Sequence, residues 1–317
     1  MSLPETLTQR LRIPAIAAPM FLTSGPDLVV EVCRSGLLGT FPALNQRSSE
    51  GFEDWLREIA ERLADAPRAA PFGVNLIVHG SNPRLAADLK IVVAHRVPLV
   101  ITSLGAVSDI VDAVHSYGGL VFHDVINRRH AERAAEAGVD GIIAVCAGAG
   151  GHAGFISPFA LVGEIASFFN GTIVLAGAIS SGRQIAAARM MGADLAYLGT
   201  RFIATRESMA APAHKEMIVS SKAADVISTA GISGVNANFL RASIVAAGLD
   251  PDALPKHNGL DMNGEATAWK SIWSAGQGVG AIESVPAAAE LCERLVAEYR
   301  GAVNSATRDP FLEAAFA

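Results

Sequence analysis

The sequence predicts a (β/α)8 (TIM) barrel, and three observations support this fold class: length, composition, and a repeated alternation of strands with helices. The chain has 317 residues, a usual length for one such barrel. Half of the residues are hydrophobic but only 6% are aromatic, which is typical of helices packed around a buried parallel sheet. Eight strand–helix units in about 200 residues fit a closed barrel better than an open doubly wound sheet.

Each predicted strand is a short and mostly apolar run, and this continuity indicates that both faces of the sheet are buried. Amphipathic helical segments separate the runs, for example at 51–66, 106–118 and 128–138. Several of these helices end in a glycine just before the next strand, as a left-handed C-cap requires. The eight predicted strands are 14–20, 36–41, 72–77, 98–103, 119–125, 141–146, 172–177 and 195–199.

The pattern changes after the eighth strand, where residues 208–275 combine helical segments with loops. We expect this part of the chain to form a small helical subdomain, inserted near the C-terminus and placed over the barrel mouth. Residues 1–207 and 276–317 then form the barrel itself, because an amphipathic helix near the end of the sequence returns to it. Plain extra helices outside the barrel are the alternative interpretation.

Charge and cysteine content argue against several classes of protein. The net charge is −6 and no run of Lys or Arg is present, so binding to nucleic acid or to an anionic membrane is not expected. The three cysteines are widely spaced, which favours a reducing compartment. The sequence shows neither a signal-peptide pattern nor an apolar run of about 18–20 residues, so we expect a cytoplasmic protein. A homodimer is compatible with these data.

The carboxyl ends of the strands are the positions where such a barrel places its chemistry. Gly177 and Ala178 end the seventh strand, and Gly199 and Thr200 end the eighth. Small residues in these two loops, followed by a helix that starts near Ser181, let backbone N–H groups and a helix N-terminus face a phosphate. Glycines that merely end strands are the alternative interpretation.

The first and third strands also end in residues suited to a ligand. Asn75 closes an otherwise apolar strand, and its amide can both donate and accept hydrogen bonds, which suits a heteroaromatic ring edge or a phosphate. Ala18, Pro19 and Met20 combine small side chains with a thioether that packs well against a planar ring. An asparagine satisfied by neighbouring backbone and a methionine in the core remain open alternatives.

Schiff-base and metal chemistry are not expected at these strand ends. None of the five lysines of the chain ends a predicted strand, so a lysine nucleophile is missing. His123 and Asp124 are adjacent, but side chains alternate along a strand and point in opposite directions. This pair is therefore a poor chelate, and we predict no metal site.

The loop after the sixth strand has the sequence CAGAGGHAGF. Gly148, Gly150 and Gly151 would let its backbone pass very close to a planar ring. His152 would then lie beside that ring, where an imidazole suits proton transfer near neutral pH. A histidine with only a structural role in the loop is the alternative interpretation.

Six motifs occur in order between about residues 12 and 300: AAPM, PFGVNL, GAGGHAG, LAGAISSGR, LGTRFIAT and IWSAGQGVG. Together they resemble the nitronate monooxygenase family, also called the 2-nitropropane dioxygenase family, whose members are FMN-dependent (β/α)8 barrels. The resemblance implies noncovalent FMN, with its phosphate in the loops after the seventh and eighth strands. The implied FMN contacts are Ala18, Pro19, Met20, Asn75, Asp124, Val145, Gly150, Gly151, Gly177, Ala178, Gly199 and Thr200.

The resemblance also implies a reaction, the oxidation of an alkyl nitronate by O2 to a carbonyl compound and nitrite. His152 stands where the family has its base or substrate-orienting histidine, and it would remove the α-proton of a neutral nitroalkane. Two enzymes of other specificity are alternatives on the same fold: an NAD(P)H-dependent quinone reductase and an enoyl-acyl-carrier-protein reductase. A barrel that binds flavin or phosphate without catalysis is a third alternative.

Three residues depart from the pattern of the family that the sequence resembles. Val145 stands where relatives commonly have Gln or Asp, and Asp124 where some have Lys. Ala178 replaces a frequent second glycine. An exchange of cation for anion at position 124 alters the electrostatics around a flavin or its phosphate. The departures therefore bear on substrate and reductant specificity more than on flavin binding.

Overall fold

The computed structural model describes residues 3–105, 107–254 and 271–309. It confirms the closed barrel of eight parallel strands and all eight predicted strands, each to within three residues at either end. A short ninth strand, β7, lies outside the barrel, between its sixth and seventh strands along the chain. The strands are β1 (Ala15–Ala17), β2 (Leu38–Pro42), β3 (Phe72–Ile77), β4 (Leu99–Ser103), β5 (Leu120–Val125), β6 (Gly141–Val145), β7 (Gly151–His152), β8 (Thr172–Ala176) and β9 (Leu195–Leu198).

The barrel closes because β1 pairs in parallel with both β2 and β9. Alternate residues of each strand point inward and form a core of their own, while the others pack against the surrounding helices. Leu7, from the first helix, joins the inner core. The inner core contains Leu7, Ile16, Leu38, Leu99, Ile101, Phe122, Ile143, Val174, Ala176 and Leu195.

Helices follow the barrel strands as the alternation predicts. Gly118, Gly138 and Gly192 have φ of 81°, 82° and 100°, and each follows a helix and precedes the next strand, so the predicted left-handed C-caps are confirmed. The helices are α1 (Glu5–Thr8), α2 (Pro26–Arg34), α3 (Ser49–Leu63), α4 (Leu85–Ala94), α5 (Ser108–His115), α6 (Arg128–Glu136), α7 (Pro158–Ala166), α8 (Gly182–Met190), α9 (Thr200–Ile203), α10 (Pro212–Ser220), α11 (Arg241–Ala246) and α12 (Ala288–Ala306).

Helix α12, the last one in the described residues, returns to the barrel and crosses α8 at very short range. A Cβ atom on Gly182 would lie 2.2 Å from the backbone oxygen of Leu295 and 2.4 Å from the backbone nitrogen of Tyr299. The N–H of Gly182 donates to Glu298 Oε2 at 2.7 Å, so α12 also supplies an acceptor for the start of α8. The absence of a side chain at Gly182 is what allows this crossing.

The described part of 208–275 differs from the predicted helical subdomain, because it also contains a sheet. Strands β10 (Val226–Thr229) and β11 (Ala237–Leu240) pair antiparallel, and β11 pairs in turn with β7 from the barrel loop. Both new strands mix polar with apolar residues, so they lack the continuous apolar run from which the barrel strands were predicted. Residues 255–270 of the predicted subdomain lie outside the described residues.

Candidate active site

A cavity of about 1330 Å³ opens at the carboxyl ends of the barrel strands. This exceeds the roughly 300–1,000 Å³ of ordinary small-molecule pockets, so it has room for a cofactor together with a substrate. The cavity brings together every site residue that the sequence predicted. These lining residues are Ala18, Pro19, Met20, Asn75, Asp124, Val145, Gly150, Gly151, His152, Gly177, Ala178, Gly199 and Thr200.

The glycine-rich loop after β6 owes its composition partly to contacts within the protein. Gly148 and Gly151 have φ of 84° and 71°, in the left-handed region that favours glycine. A Cβ atom on Gly150 would lie 2.9 Å from the backbone nitrogen of Gly276. Backbone conformation and a neighbouring protein segment therefore explain these glycines without a ligand. The close approach of the loop backbone to a planar ring stays a prediction.

Residues 274–277 hold this loop in place, and we call them the brace. Ser274 Oγ accepts a hydrogen bond from the N–H of Gly151 at 2.6 Å. The N–H of Gln277 donates to the backbone oxygen of Gly148 at 2.9 Å. The brace is also tied to the barrel, since the N–H of Gly276 donates to Thr200 Oγ1 at 2.8 Å. The motif IWSAGQGVG thus acquires a structural role that the sequence did not reveal.

His152 lies on the cavity wall in β7, the short strand that continues from the loop. It pairs with Ala237 of β11, and Asn238 Nδ2 donates to the backbone oxygen of Ala149 at 2.6 Å. The backbone around His152 is therefore held by the brace and by β11. Asn238 was not predicted, because its partner is 89 residues away along the chain.

Two of the other histidines that line the cavity are buried, and burial lowers the pKa of each to about 4. His214 stacks on Trp273 with ring centroids 5.1 Å apart, and its Nε2 lies 3.2 Å from the backbone oxygen of Ser274. His123 places Nδ1 2.8 Å from Thr102 Oγ1. Both imidazoles are therefore neutral near pH 7. His214 was not predicted as a site residue, and His123 was considered only as a poor metal ligand.

Asp124 ends a chain of hydrogen bonds that begins at Asn75. Asn75 Nδ2 donates to Ser103 Oγ at 2.9 Å, and the Ser103 hydroxyl donates to Asp124 Oδ2 at 2.5 Å. Burial raises the pKa of Asp124 to about 6, although the bond from Ser103 opposes the shift. Oδ1 of Asp124 has no hydrogen-bond partner among the described residues, and neither has the hydroxyl of Tyr197.

The residues of the cavity fit a polar cofactor such as a flavin nucleotide. Buried polar atoms are nearly always paired in proteins, yet four residues of the cavity wall carry a buried oxygen without a described partner. A Cβ atom on Gly199 would approach only Met20 and Ala18, at 3.8 and 3.9 Å, so its absence leaves room. The four unpaired oxygens are Thr23 Oγ1, Asp124 Oδ1, Ser180 Oγ and Tyr197 OH.

The helix after the seventh barrel strand was predicted to face a phosphate with its N-terminus, but several N–H groups at its start are hydrogen-bonded within the protein. Gln184 Oε1 accepts the N–H groups of Ser180 and Ser181, at 2.7 and 3.1 Å. The next N–H, from Gly182, is taken by Glu298. These amides already have acceptors, one of them a carboxylate that would repel a phosphate. A phosphate here would therefore be bound mainly by the two loops. The Thr200 hydroxyl accepts a hydrogen bond from Gly276, and its own proton can still be donated to an anion.

Comparison with known proteins assigns this chain to a family. A family model described as nitronate monooxygenase matches residues 79–298, more than half of the chain. The chain belongs to the nitronate monooxygenase family. It is therefore an oxidoreductase, and the resemblance predicted from the six motifs is confirmed. Dependence on a flavin is typical of the nitronate monooxygenase family.

Individual relatives agree with this assignment. A nitronate monooxygenase of Paraburkholderia phytofirmans is 27% identical, over 92% of this chain and 93% of that protein. A shorter alignment, 35% identical, joins 48% of this chain to 41% of a Mycobacterium tuberculosis protein named for monooxygenase activity. The solved structure of a nitroalkane oxidase from Streptomyces ansochromogenes superposes with a TM-score of 0.80 at 25% identity, over 95% of this chain and 99% of that one.

One structural feature bears on the membrane question. Within the part of the chain that the structure describes, no helix combines the length and apolar character needed to cross a lipid bilayer.

Proposed function

We propose that this protein binds FMN and uses O2 to oxidise alkyl nitronates to carbonyl compounds and nitrite. The observation that carries the proposal is the position of His152, on the wall of a cavity large enough for a cofactor and a small substrate. Membership in the nitronate monooxygenase family and the similarity to a nitroalkane oxidase support this substrate class.

The residues that would hold the cofactor are those at the strand ends. Gly177, Ala178, Gly199 and Thr200 would bind its phosphate, and the residues at the ends of the other strands would surround the ring and ribityl chain. FMN, when bound, supplies a two-electron acceptor that O2 can reoxidise.

In this proposal, His152 is the general base. A ring nitrogen of its imidazole accepts the α-proton of a neutral nitroalkane, which converts the nitroalkane to the nitronate. The backbone around His152 is tied to the brace and to β11, so the position of this residue on the cavity wall is fixed. A nitronate has already lost that proton, and for such a substrate His152 only orients.

The difference between the two substrates tests the role of His152. His152→Ala should lower kcat/KM for neutral nitroethane by about tenfold or more, within the usual range for the loss of a general base. Activity on pre-ionised ethyl nitronate should fall less, while the ratio of FMN to protein stays unchanged. His115→Ala, an exposed histidine of α5 off the cavity wall, is the control and should leave both activities intact. Equal losses on the two substrates would contradict the base role.

The electron donor can be tested in a separate experiment. The purified protein is mixed without oxygen with propyl nitronate, NADH or NADPH, and the visible absorption of the flavin is followed. Bleaching by propyl nitronate supports the proposed function. Bleaching by NADH or NADPH alone would overturn it in favour of an NAD(P)H-dependent quinone or enoyl-acyl-carrier-protein reductase.

A further inference from the structure

Asp124 is a buried acid in the wall of the cavity, and the proposed proton transfer by His152 makes no use of it. Its carboxyl accepts one hydrogen bond, from Ser103, and its other oxygen is unpaired among the described residues. Burial without a compensating cation disfavours the charged form of a carboxyl. Such a group readily takes up a proton when negative charge develops nearby.

We propose that Asp124 takes up one proton when the flavin bound in the cavity is reduced and becomes negatively charged. The inference rests on the proposed FMN site but not on the nitronate substrate. Two electrons and one proton go to the flavin from the reductant and solvent, and a second proton goes to the Asp124 carboxylate. Asp124 thereby stays neutral beside a reduced cofactor, and the cavity wall gains no second negative charge.

The hydrogen-bond chain supplies a route for this proton. Ser103 lines the cavity, and its hydroxyl already donates to Asp124 Oδ2. When Ser103 passes this proton to Oδ2, an O–H bond forms on the carboxyl and the serine oxygen takes a replacement proton from water in the cavity. The hydrogen bond from Asn75 Nδ2 to Ser103 Oγ holds the serine in place for both transfers.

The other titratable groups around Asp124 do not take over this role. Tyr197 from β9 stays protonated, because burial and the negative charge of Asp124 both raise the pKa of its hydroxyl well above the ordinary value. His123, on the same strand, is bonded to Thr102 and is neutral near pH 7. Among the described residues no lysine or arginine offsets the charge of Asp124.

Proton counting tests the proposal without any nitronate. FMN-loaded protein is reduced with dithionite under anaerobic conditions in weak buffer, and proton uptake per flavin is measured from pH 5 to pH 8. Wild type should take up about one proton more than Asp124→Asn at pH 8 and almost none more at pH 5, where Asp124 is already protonated. The midpoint potential of wild type should correspondingly fall by about 30 mV more per pH unit above pH 6, the value for one proton in a two-electron couple.

Two more variants make the result specific. Ser103→Ala removes the hydrogen bond that favours the carboxylate, which raises the pKa of Asp124 further. The proton uptake in excess of that of Asp124→Asn should therefore appear only at a higher pH than in wild type. Asp112→Asn, an exposed aspartate on α5, should behave as wild type. Equal proton uptake by wild type and Asp124→Asn at every pH would overturn the role of Asp124, and failure to bind flavin would overturn both this proposal and the cofactor. A normal proton count with no bleaching by propyl nitronate would overturn the substrate alone.

Discussion

Ala178 occupies a backbone conformation that suits glycine. Its φ is +53°, in the loop after β8 that would receive the phosphate. In this region the Cβ atom of an L-residue crowds the backbone, at a cost of roughly 1–2 kcal/mol. The sequence comparison already marked Ala178 as a departure from a frequent glycine, and the structure gives that departure a physical cost.

Ala178→Gly should therefore stabilise the folded protein by up to about 1 kcal/mol, since relief of strain outweighs the added freedom of the unfolded chain. Urea denaturation followed by circular dichroism measures the change. Ala187→Gly, at an exposed position inside α8, should destabilise by about 1 kcal/mol, as glycine does in helices. A loss of stability in both variants would mean that Ala178 is not strained.

The residues at the strand ends could be predicted because barrel topology alone brings them to one cavity. The roles of His214, Tyr197 and the brace could not be predicted, because they depend on contacts between distant parts of the chain. Gly151 and Ser274, for example, are separated by 123 positions. A single sequence carries no signal for such a contact, although it contains both motifs.

Among the helices, the pair α8 and α12 depends on a single small residue. Gly182→Ala places a methyl group within 2.2 Å of the Leu295 backbone oxygen, where no side-chain movement can relieve the clash. We expect a loss of about 1–3 kcal/mol in the free energy of unfolding, measured by urea denaturation.

Gly301→Ala is the matched control for this prediction. It lies in α12 itself, but a Cβ atom there meets nothing within 4 Å. This variant should gain about 0.5–1 kcal/mol, because alanine is the better helix former. If both glycines respond alike, the close crossing of α8 and α12 does not limit stability.

The strands illustrate why some elements were predicted and others were not. The barrel strands are continuous apolar runs, since both of their faces are buried, and this pattern survives in a single sequence. Strands β7, β10 and β11 are short and contain Gly, Ser and Asn. Their pairing comes from tertiary contacts rather than from intrinsic preference, which is why the subdomain was expected to be helical.

For the molecule as a whole, buried histidines set the response to acid. The folded-state pKa values of His123 and His214 are lowered to about 4, below the value of 6.5 expected in the unfolded chain. Their contribution to stability is therefore complete above pH 6.5 and is lost as the pH falls towards 4. Asp124 acts in the opposite direction, because its raised pKa makes its contribution fall as the pH rises through about 6.

On acidification the two imidazoles lower the stability of the fold, and the single Asp124 carboxyl raises it. The melting temperature should therefore fall as the pH is lowered from 6.5 to 4.5. Differential scanning calorimetry of the cofactor-free protein across this range measures the change. His123→Asn and His214→Gln keep a hydrogen-bonding nitrogen without a comparable charge, and each should flatten the profile. A melting temperature independent of pH in this range would show that these histidines are not held neutral by the fold.

The pairing of β7 with β11, and of its loop with the brace, has a consequence for newly made protein. Every barrel strand precedes the brace and β11 along the chain, and domains generally fold from the N-terminal side during translation. The partners that position the backbone around His152 therefore emerge later than the barrel strands. A nascent chain can thus pair its barrel strands before the partners of β7 and its loop exist, and a protein truncated after β9 would lack these partners together with Gly199 and Thr200.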